Sequence, residues 1–417
     1  MLEEILTQAW QSLRRQPVRS CLTMAGIVWG IVAVTMLLAY GTGFRQVLMH
    51  TFEAFGHDVI VCWPGTTSEQ AGGERAGRKV ELQQEDVANI RAGASAVKQV
   101  CPETVKFIGL SHEERFATTA VRGVCPEYGE MRNEVASEGR WLSAEDEVNR
   151  HRVVFLGAMM KKKLFAGAPA VGETVRIEGT PFTVIGTMDR KFQDSSYFQN
   201  DDQSVWIPYA TAGDLWDNRS ASVLVLRALA PELDGKAQQQ VLGMLAERQH
   251  FSPTDKRAVR MISMAAFRPI YEAITYGLEG LLLFVGLLTL GIGGIGVMNI
   301  MLVTVNERTR EIGLRRALGA RRRHIRVQFL AEALALTLAG GAIGTLLSVA
   351  MGRAIGTLPF LGPAYEDTSG AVDIHMRVSW EILATSIGVL VVVGILSGLV
   401  PAMRAARMDP VEALRYE

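Results

Sequence analysis

Charged residues are excluded from four long stretches of this chain, and that exclusion sets its organisation. No Asp, Glu, Lys or Arg occurs in 20–44, 280–306, 333–352 or 382–403. Each stretch is long enough to cross a hydrocarbon core, which takes about 20 apolar residues in a helix. Four membrane helices are expected, at 21–44, within 271–305, at 328–352 and at 381–403. The first follows Arg14, Arg15 and Arg19 as a signal peptide would, but its apolar run exceeds the ~7–15 residues of a signal core, so it is read as a permanent anchor.

Between the first two spans the pattern shortens to that of a folded α/β domain, 45–270. Runs at 58–63, 104–110 and 115–124 suit strands, and 173–188 reads as a hairpin turning at Glu178-Gly179-Thr180-Pro181. Helices are expected at 83–92, 158–165 and 231–249, and 65–77, rich in Gly, Thr, Ser and Glu, as a mobile loop. The domain is long enough for one large unit or two small ones. Phe44, Val47, Leu48, Phe52 and Phe55 keep helical spacing beyond the first span, and Phe267, Ile270, Ile274 and Leu278 do so ahead of the second. Two helical stalks therefore carry the domain. Ahead of everything, Leu2, Ile5, Leu6, Ala9, Trp10 and Leu13 share one face, as in a helix at 1–20 lying in the inner membrane interface or capping the first span.

Charge orients the chain. From Asn306 to Arg326 there are eight arginines (308, 310, 315, 316, 321, 322, 323 and 326) against Glu307 and Glu311, whereas 353–380 holds only Arg353 and Arg377 with Glu366, Asp367 and Asp373. Positive loops stay in the cytoplasm, so 306–327 is inside, both termini (1–20 and 404–417) are inside, and 45–270 and 353–380 are outside. Within 306–327, Ile312, Leu314, Ala317, Leu318 and Ile325 recur at roughly helical spacing, giving an amphipathic segment that needs a membrane or protein surface.

Candidate chemistry is sparse. Residues 46–270 carry 26 Lys and Arg against 29 Asp and Glu, a net of −3 that excludes nucleic acid as an expected ligand. The histidines at 50, 57, 112, 151, 250, 324 and 375 are scattered, with no metal-binding spacing and no CxxC pair. No metal site and no catalytic residue is expected; Glu113-Glu114 and Glu145-Asp146-Glu147 read as solvated faces or helix starts. Cys62, Cys101 and Cys125 lie outside, where a disulfide is permitted and one thiol is left over; three buried small hydrophobes is the alternative. There is no Gly-x-x-x-x-Gly-Lys-Ser/Thr phosphate cradle, so this chain is expected to bind no cofactor, and ATP with Mg would sit on a partner ATPase. Gly26 and Gly30, Gly340 and Gly344, and Gly394 and Gly398 are small-residue pairs four apart, expected to give tight helix packing and dimerisation. Only Glu332 among ionisable residues enters a span, near one end, which argues against a channel or proton-coupled carrier.

The loop Asn299-Ile-Met-Leu-Val-Thr-Val-Asn-Glu-Arg-Thr-Arg-Glu-Ile-Gly-Leu-Arg-Arg-Ala-Leu-Gly-Ala-Arg321, followed by Gln328-Phe-Leu-Ala-Glu332 and Gly340-Gly341, resembles the MacB/FtsX superfamily of ABC transporter permeases. Pro401-Ala-Met-Arg-Ala-Ala-Arg-Met-Asp-Pro410-Val-Glu-Ala-Leu414 is similar to that family's ending, and Val171-Gly-Glu-Thr-Val-Arg-Ile with Pro181-Phe-Thr-Val-Ile-Gly186 to its exported domain. The resemblance implies four membrane helices with a large extracytoplasmic α/β domain between the first and second, in the bacterial inner membrane. It also implies mechanotransmission: a paired ATPase closes on ATP and movement travels up the stalks to a domain that expels drugs, peptides or similar substrates already outside. In such proteins the loop after the second helix docks on the ATPase, which assigns coupling to Glu307, Arg308, Arg310, Glu311, Gly313, Arg316, Gly319 and Ala320, with Ile312 and Leu318 filling a groove. MacB itself carries its ATPase ahead of the first helix; only 20 residues precede it here, so a separate ATPase subunit is expected. The resemblance further implies a second permease copy or paralogue, membrane lipid and, in the exporting branch, a periplasmic adaptor and an outer-membrane duct. Lipoprotein release of the LolC/LolE kind and FtsX-like regulation are the alternatives.

Overall fold

A computed structural model describes residues 17–56, 58–193, 196–365 and 370–415. The amphipathic face expected at residues 2–13 lies outside them. In chain order, helix α1 (Pro17–Glu53) leads to β1 (Val59–Pro64), β2 (Leu82–Gln83), α2 (Gln84–Gly93), β3 (Val97–His112), β4 (Arg115–Val124), α3 (Tyr128–Arg132), β5 (Ala136–Gly139), α4 (Ala144–Val148), β6 (Val153–Leu156) and α5 (Ala158–Phe165). Then come β7 (Thr174–Ile177), β8 (Thr180–Met188), β9 (Val205–Pro208), α6 (Tyr209–Ala212), β10 (Ser220–Ala221), β11 (Val223–Ala228), α7 (Asp234–Gln249) and β12 (Val259–Ser263). The rest is α8 (Arg268–Glu307), α9 (Thr309–Ala317), α10 (Arg322–Ile355), β13 (Thr357–Leu358), β14 (Ile374–His375), α11 (Trp380–Arg407) and α12 (Pro410–Arg415). The chain divides into two compact units, one of residues 48–272 and one formed by the segments before and after it.

The 48–272 unit is built on a ten-stranded mixed sheet, in the order β12-β1-β11-β3-β4-β9-β6-β8-β5 with β7 pairing β3 and β8, while β2 and β10 pair separately. Alternation along each strand feeds two faces. Ile60, Cys62, Leu224 and Leu226 pack with Val241 and Leu245 of α7, whereas the intervening Val59, Val61, Val223 and Val225 join Phe55, Tyr128, Phe155 and Trp206. A third cluster places Met160 and Leu164 of α5 against Val121, Val154 and Val184. The hairpin at 173–188 turns at Glu178-Gly179, both with positive φ. The stretch 65–77 is more tied down than expected. Thr66 bridges Lys79, and the Asp255 carboxylate accepts from Ser68 N, Ser68 Oγ and Glu69 N. Asp146 is buried at the start of α4, where it and Ser143 form a reciprocal cap.

Cys101 and Cys125 are disulfide-bonded, and Cys62 is free and buried. Burial, with Asp86 nearby, pushes the Cys62 thiol up to about 12. Beside this disulfide lies a charge network with no counterpart in the sequence pattern. Arg122 Nη1 donates to Glu103 Oε1 at 3.1 Å, Tyr197 Oη to Glu103 Oε2 at 2.5 Å, and Arg132 Nη2 to Asp201 Oδ2 at 3.0 Å. Lys191 Nζ bridges Asp201 Oδ2 at 2.9 Å and Glu134 Oε1 at 3.0 Å. Arg122, Arg132, Glu103 and Asp201 are fully enclosed. Burial pushes the Glu103 carboxyl up and, with the Asp201 charge adding, Glu134 up to about 8. At Asp201 burial acts in the same sense but is outweighed by Arg132, Lys191 and Arg122, which hold that carboxyl well below the usual range.

In the other unit, four helices among the described residues are long and apolar enough to cross a membrane: Met24–Glu53 within α1, then α8, α10 and α11. The glycine pairs place α1, α8, α10 and α11 side by side. A Cβ on Gly30 would stand 2.9 Å from Leu290 Cα, and one on Gly26 3.5 Å from Gly293 Cα. Gly340 and Gly344 face Ile27 and Ile31, and Gly394 and Gly398 face Thr337 and Ala333. All three pairs are thus occupied within the chain, α1 on α8, α10 on α1 and α11 on α10. Their close-approach surfaces are covered within the chain, which accounts for the tight helix packing expected of them.

Candidate coupling site

Between α8 and α10 the backbone makes two breaks that place a short helix across the end of the span bundle. At the first, Arg308 leaves helical geometry and Thr309 Oγ1 donates to the Asn306 carbonyl at 2.7 Å, opening α9. At the second, Gly319 takes φ +95°, in the left-handed region that favours glycine, and α10 starts at Arg322. The last residues of the 306–327 stretch are therefore the first turns of the third span's helix.

The faces of α9 differ. Ile312 is 3% exposed and packs in the cluster of Val305, Ile325, Phe329, Ala405 and Ala406. Gly313 abuts α12, where an added Cβ would meet Ala413 Cβ at 2.6 Å. Arg316 Nη1 donates to the Met408 carbonyl at 2.5 Å and the Ala406 carbonyl at 3.4 Å, satisfying acceptors left open where α11 ends. Arg308 Nη1 lies 3.4 Å from Glu332 Oε1. Ile312, Gly313, Arg316 and Arg308 are therefore engaged by this chain's own helices. The expectation that Ile312 and Leu318 fill one groove is corrected: six residues apart at 3.6 per turn, they point about 120° apart.

The opposite stripe is open. Arg310, Leu314 and Leu318 recur at intervals of four, with Leu314 53% and Leu318 80% exposed. Glu307, Glu311 and Gly319 are exposed alongside, and Ala320 is half-buried against the span cluster. Six arginines of the region (310, 315, 321, 322, 323 and 326) are exposed, with Arg315 Nη1 donating to Gln328 Oε1 at 2.8 Å. The surface offers two leucines amid dense positive charge, suited to a partner groove with an acidic rim. Leu314 was absent from the sequence-derived docking set, and the four-residue spacing to Leu318 was its signal. Ala413 and the Ala406 and Met408 carbonyls carried none, being contacts across 90 or more residues. No group of three or more His, Cys, Asp or Glu that could hold a metal occurs among the described residues.

Comparison with known proteins matches two families along the chain. The family described as MacB-like periplasmic core domain matches residues 20–243, and the FtsX-like permease C-terminal family matches 283–410. The macrolide export ATP-binding/permease protein MacB of Bdellovibrio bacteriovorus is 32% identical over 99% of this chain, which spans 62% of that relative's length. The uncharacterized ABC transporter permease YknZ of Bacillus subtilis is 29% identical over the full length of both. The crystal structure of the periplasmic region of MacB from Actinobacillus actinomycetemcomitans aligns with a TM-score of 0.42 at 18% identity, covering 54% of this chain and 97% of that one.

Proposed function

The chain belongs to the MacB-like, FtsX-type ABC transporter permeases, and on that premise we propose that it is the membrane subunit of an ATP-driven export complex worked by mechanotransmission. The observation that carries this reading is the division of α9, braced on one face by Ile312, Gly313 and Arg316 and open on the other along Arg310, Leu314 and Leu318. A helix held rigidly to the span bundle passes on a push, and one with an unused amphipathic stripe has a surface on which to receive it. Helix α8 runs unbroken from Arg268 to Glu307, about 60 Å at 1.5 Å per residue, and is the lever.

The push comes from an ABC ATPase, and these 417 residues hold no phosphate-cradle motif of their own. The MacB relative is named as both ATP-binding and permease, and this chain matches 62% of it. Arginine density around α9 supports a cytoplasmic position for it, with both termini inside, the 48–272 unit in the periplasm and the spans in the inner membrane. A second permease copy or paralogue packs along α8, where Ile274, Leu281, Phe284, Leu288 and Ile295 are exposed at alternating intervals of three, four and seven and Gly277 and Gly291 meet nothing. Substrates are drugs, peptides or similar periplasmic molecules, passed to an adaptor and outer-membrane duct.

The test is reconstitution with the candidate ATPase in lipid nanodiscs, comparing wild type with Leu318→Asp and Arg310→Glu. Both variants keep the braced face intact, so loss of ATPase binding with retained insertion is the expected result. Unchanged binding and hydrolysis would remove α9 from the coupling path.

A further inference from the structure

In the 48–272 unit, at the end of the sheet where β1 pairs with the outermost strand β12, two cavities share a wall. The first, about 290 Å³, is lined by Phe52, Phe55, Trp63, Tyr197, Phe267 and Tyr271, together with aliphatic Val61, Ile262 and Met264. Phe52 and Tyr271 stack at 4.5 Å between ring centres, and Tyr197 stands edge-on to Trp63 at 5.8 Å. The Tyr197 hydroxyl is committed to Glu103, which leaves its ring as an apolar surface. The second cavity, about 590 Å³, is a depression lined by Trp63, Ile262, the Pro64-Gly65-Thr66 backbone and three cations, Lys256, Arg257 and Arg260.

The ladder sets the two next to each other. Trp63 is directly opposite Arg260 and Val61 opposite Ile262, so all four project from one face of the sheet. Trp63 and Ile262 border both cavities, so the aromatic slot and the basic depression lie side by side. Among the described residues no carboxylate lines either cavity. Asp255, adjacent in sequence, directs its oxygens to Ser68, Glu69 and the Arg257 backbone N–H, and no ion pair engages Lys256, Arg257 or Arg260 among the described residues.

We propose that this paired cavity is a binding site for an anionic single-chain amphiphile, its apolar chain in the aromatic slot and its carboxylate or phosphate on Lys256, Arg257 and Arg260. Charge complementarity assigns the head group, because three cations with no ion-pair partner among the described residues favour an anion and Arg offers it paired N–H donors. Size assigns the tail. A slot of about 290 Å³ lies at the lower end of the range of small-molecule sites, roughly 300–1,000 Å³, so it takes one chain and not a two-chain phospholipid. The site is independent of α9, and its occupancy does not require the ATPase.

The experiment uses the full chain in nanodiscs of zwitterionic lipid and the probe 11-bromoundecanoate, whose bromine quenches tryptophan on contact. The chain has seven tryptophans, so the signal is the quenching lost in Trp63→Phe. Expected is saturable, Trp63-dependent quenching whose half-saturation rises at least about tenfold in the Lys256→Glu, Arg257→Glu, Arg260→Glu variant, a change equal to roughly 1.4 kcal/mol. The alcohol 11-bromoundecanol should bind more weakly and ignore the charge reversal. All three altered side chains are exposed, so the variant retains the fold. Equal half-saturation in wild type and the reversed variant, or an alcohol that matches the carboxylate, overturns the proposal. Including phosphatidylglycerol in the disc should leave the carboxylate's half-saturation unchanged; competition would reassign the site to a bilayer phospholipid and overturn the single-chain assignment.

Discussion

Arg308 Nη1 and Glu332 Oε1 stand 3.4 Å apart, joining the residue just beyond α8 to the only acid of α10's apolar stretch. The Glu332 side chain is 4% exposed and that of Arg308 18%. A charge so enclosed is retained only with a partner. The pair ties the start of the α9 segment to α10, and a residue first assigned to an ATPase is thereby engaged within its own chain.

Removing one partner strands the other. Arg308→Met and Glu332→Met should each destabilise the membrane unit by about 3–5 kcal/mol, and the double variant by clearly less than their sum. Thermal unfolding in nanodiscs across the four proteins measures this coupling. Additive losses would show that the two side chains do not interact.

Glycines on facing helices differ in what they tolerate. A Cβ on Gly344 would stand 1.8 Å from Ile31 Cγ2 and 3.2 Å from Val28 Cα, whereas one on Gly291 meets nothing within 4 Å. Gly344→Ala should cost about 1–3 kcal/mol through displacement of α1, and Gly291→Ala should leave monomer stability within roughly 0.5 kcal/mol. Melting temperatures of the two variants under one set of conditions provide the comparison. Equal losses would refute the packing order given for α1 and α10.

Acidity should stabilise the 48–272 unit. Glu134 in the folded state titrates near 8 rather than 4.5, so folding takes up a proton between about pH 4.5 and 8, and stability falls as pH rises through that window. Glu103, also raised by burial, acts in the same sense. Asp201 acts oppositely, but its depressed carboxyl costs stability only below about pH 4. Glu134→Gln should flatten the decline in melting temperature from pH 5 to 8. If variant and wild type keep the same slope, Glu134 is not the titrating group.

Thiol chemistry gives a separate check. In the native protein a maleimide should modify none of Cys62, Cys101 and Cys125: the first is buried with its thiol pushed up to about 12, and the others are bonded. Peptide mass spectrometry after denaturation should find Cys62 labelled, and Cys101 and Cys125 labelled only after reduction. Replacing both bonded cysteines by Ser should cost about 2–4 kcal/mol. Labelling of Cys101 without reduction would contradict the pairing.

What the sequence determined was whatever depends on composition and short-range period. Exclusion of charge marked four apolar helices because hydrocarbon solvates no ions, and short runs of strand-forming residues such as 115–124 marked strands. The arginine cluster and its motifs marked the family and the neighbourhood of α9. Tertiary structure alone decided which members of that cluster remain available, since Arg308 needed Glu332, 24 residues on, and Arg316 needed the carbonyls of Ala406 and Met408, about 90 residues away. It also decided that the glycine pairs seal one bundle, which cysteines join, and that Trp63 and Arg260 share a face. These are contacts between segments distant in sequence, and a local pattern of hydrophobic and polar residues holds no information about which distant partner will meet each one.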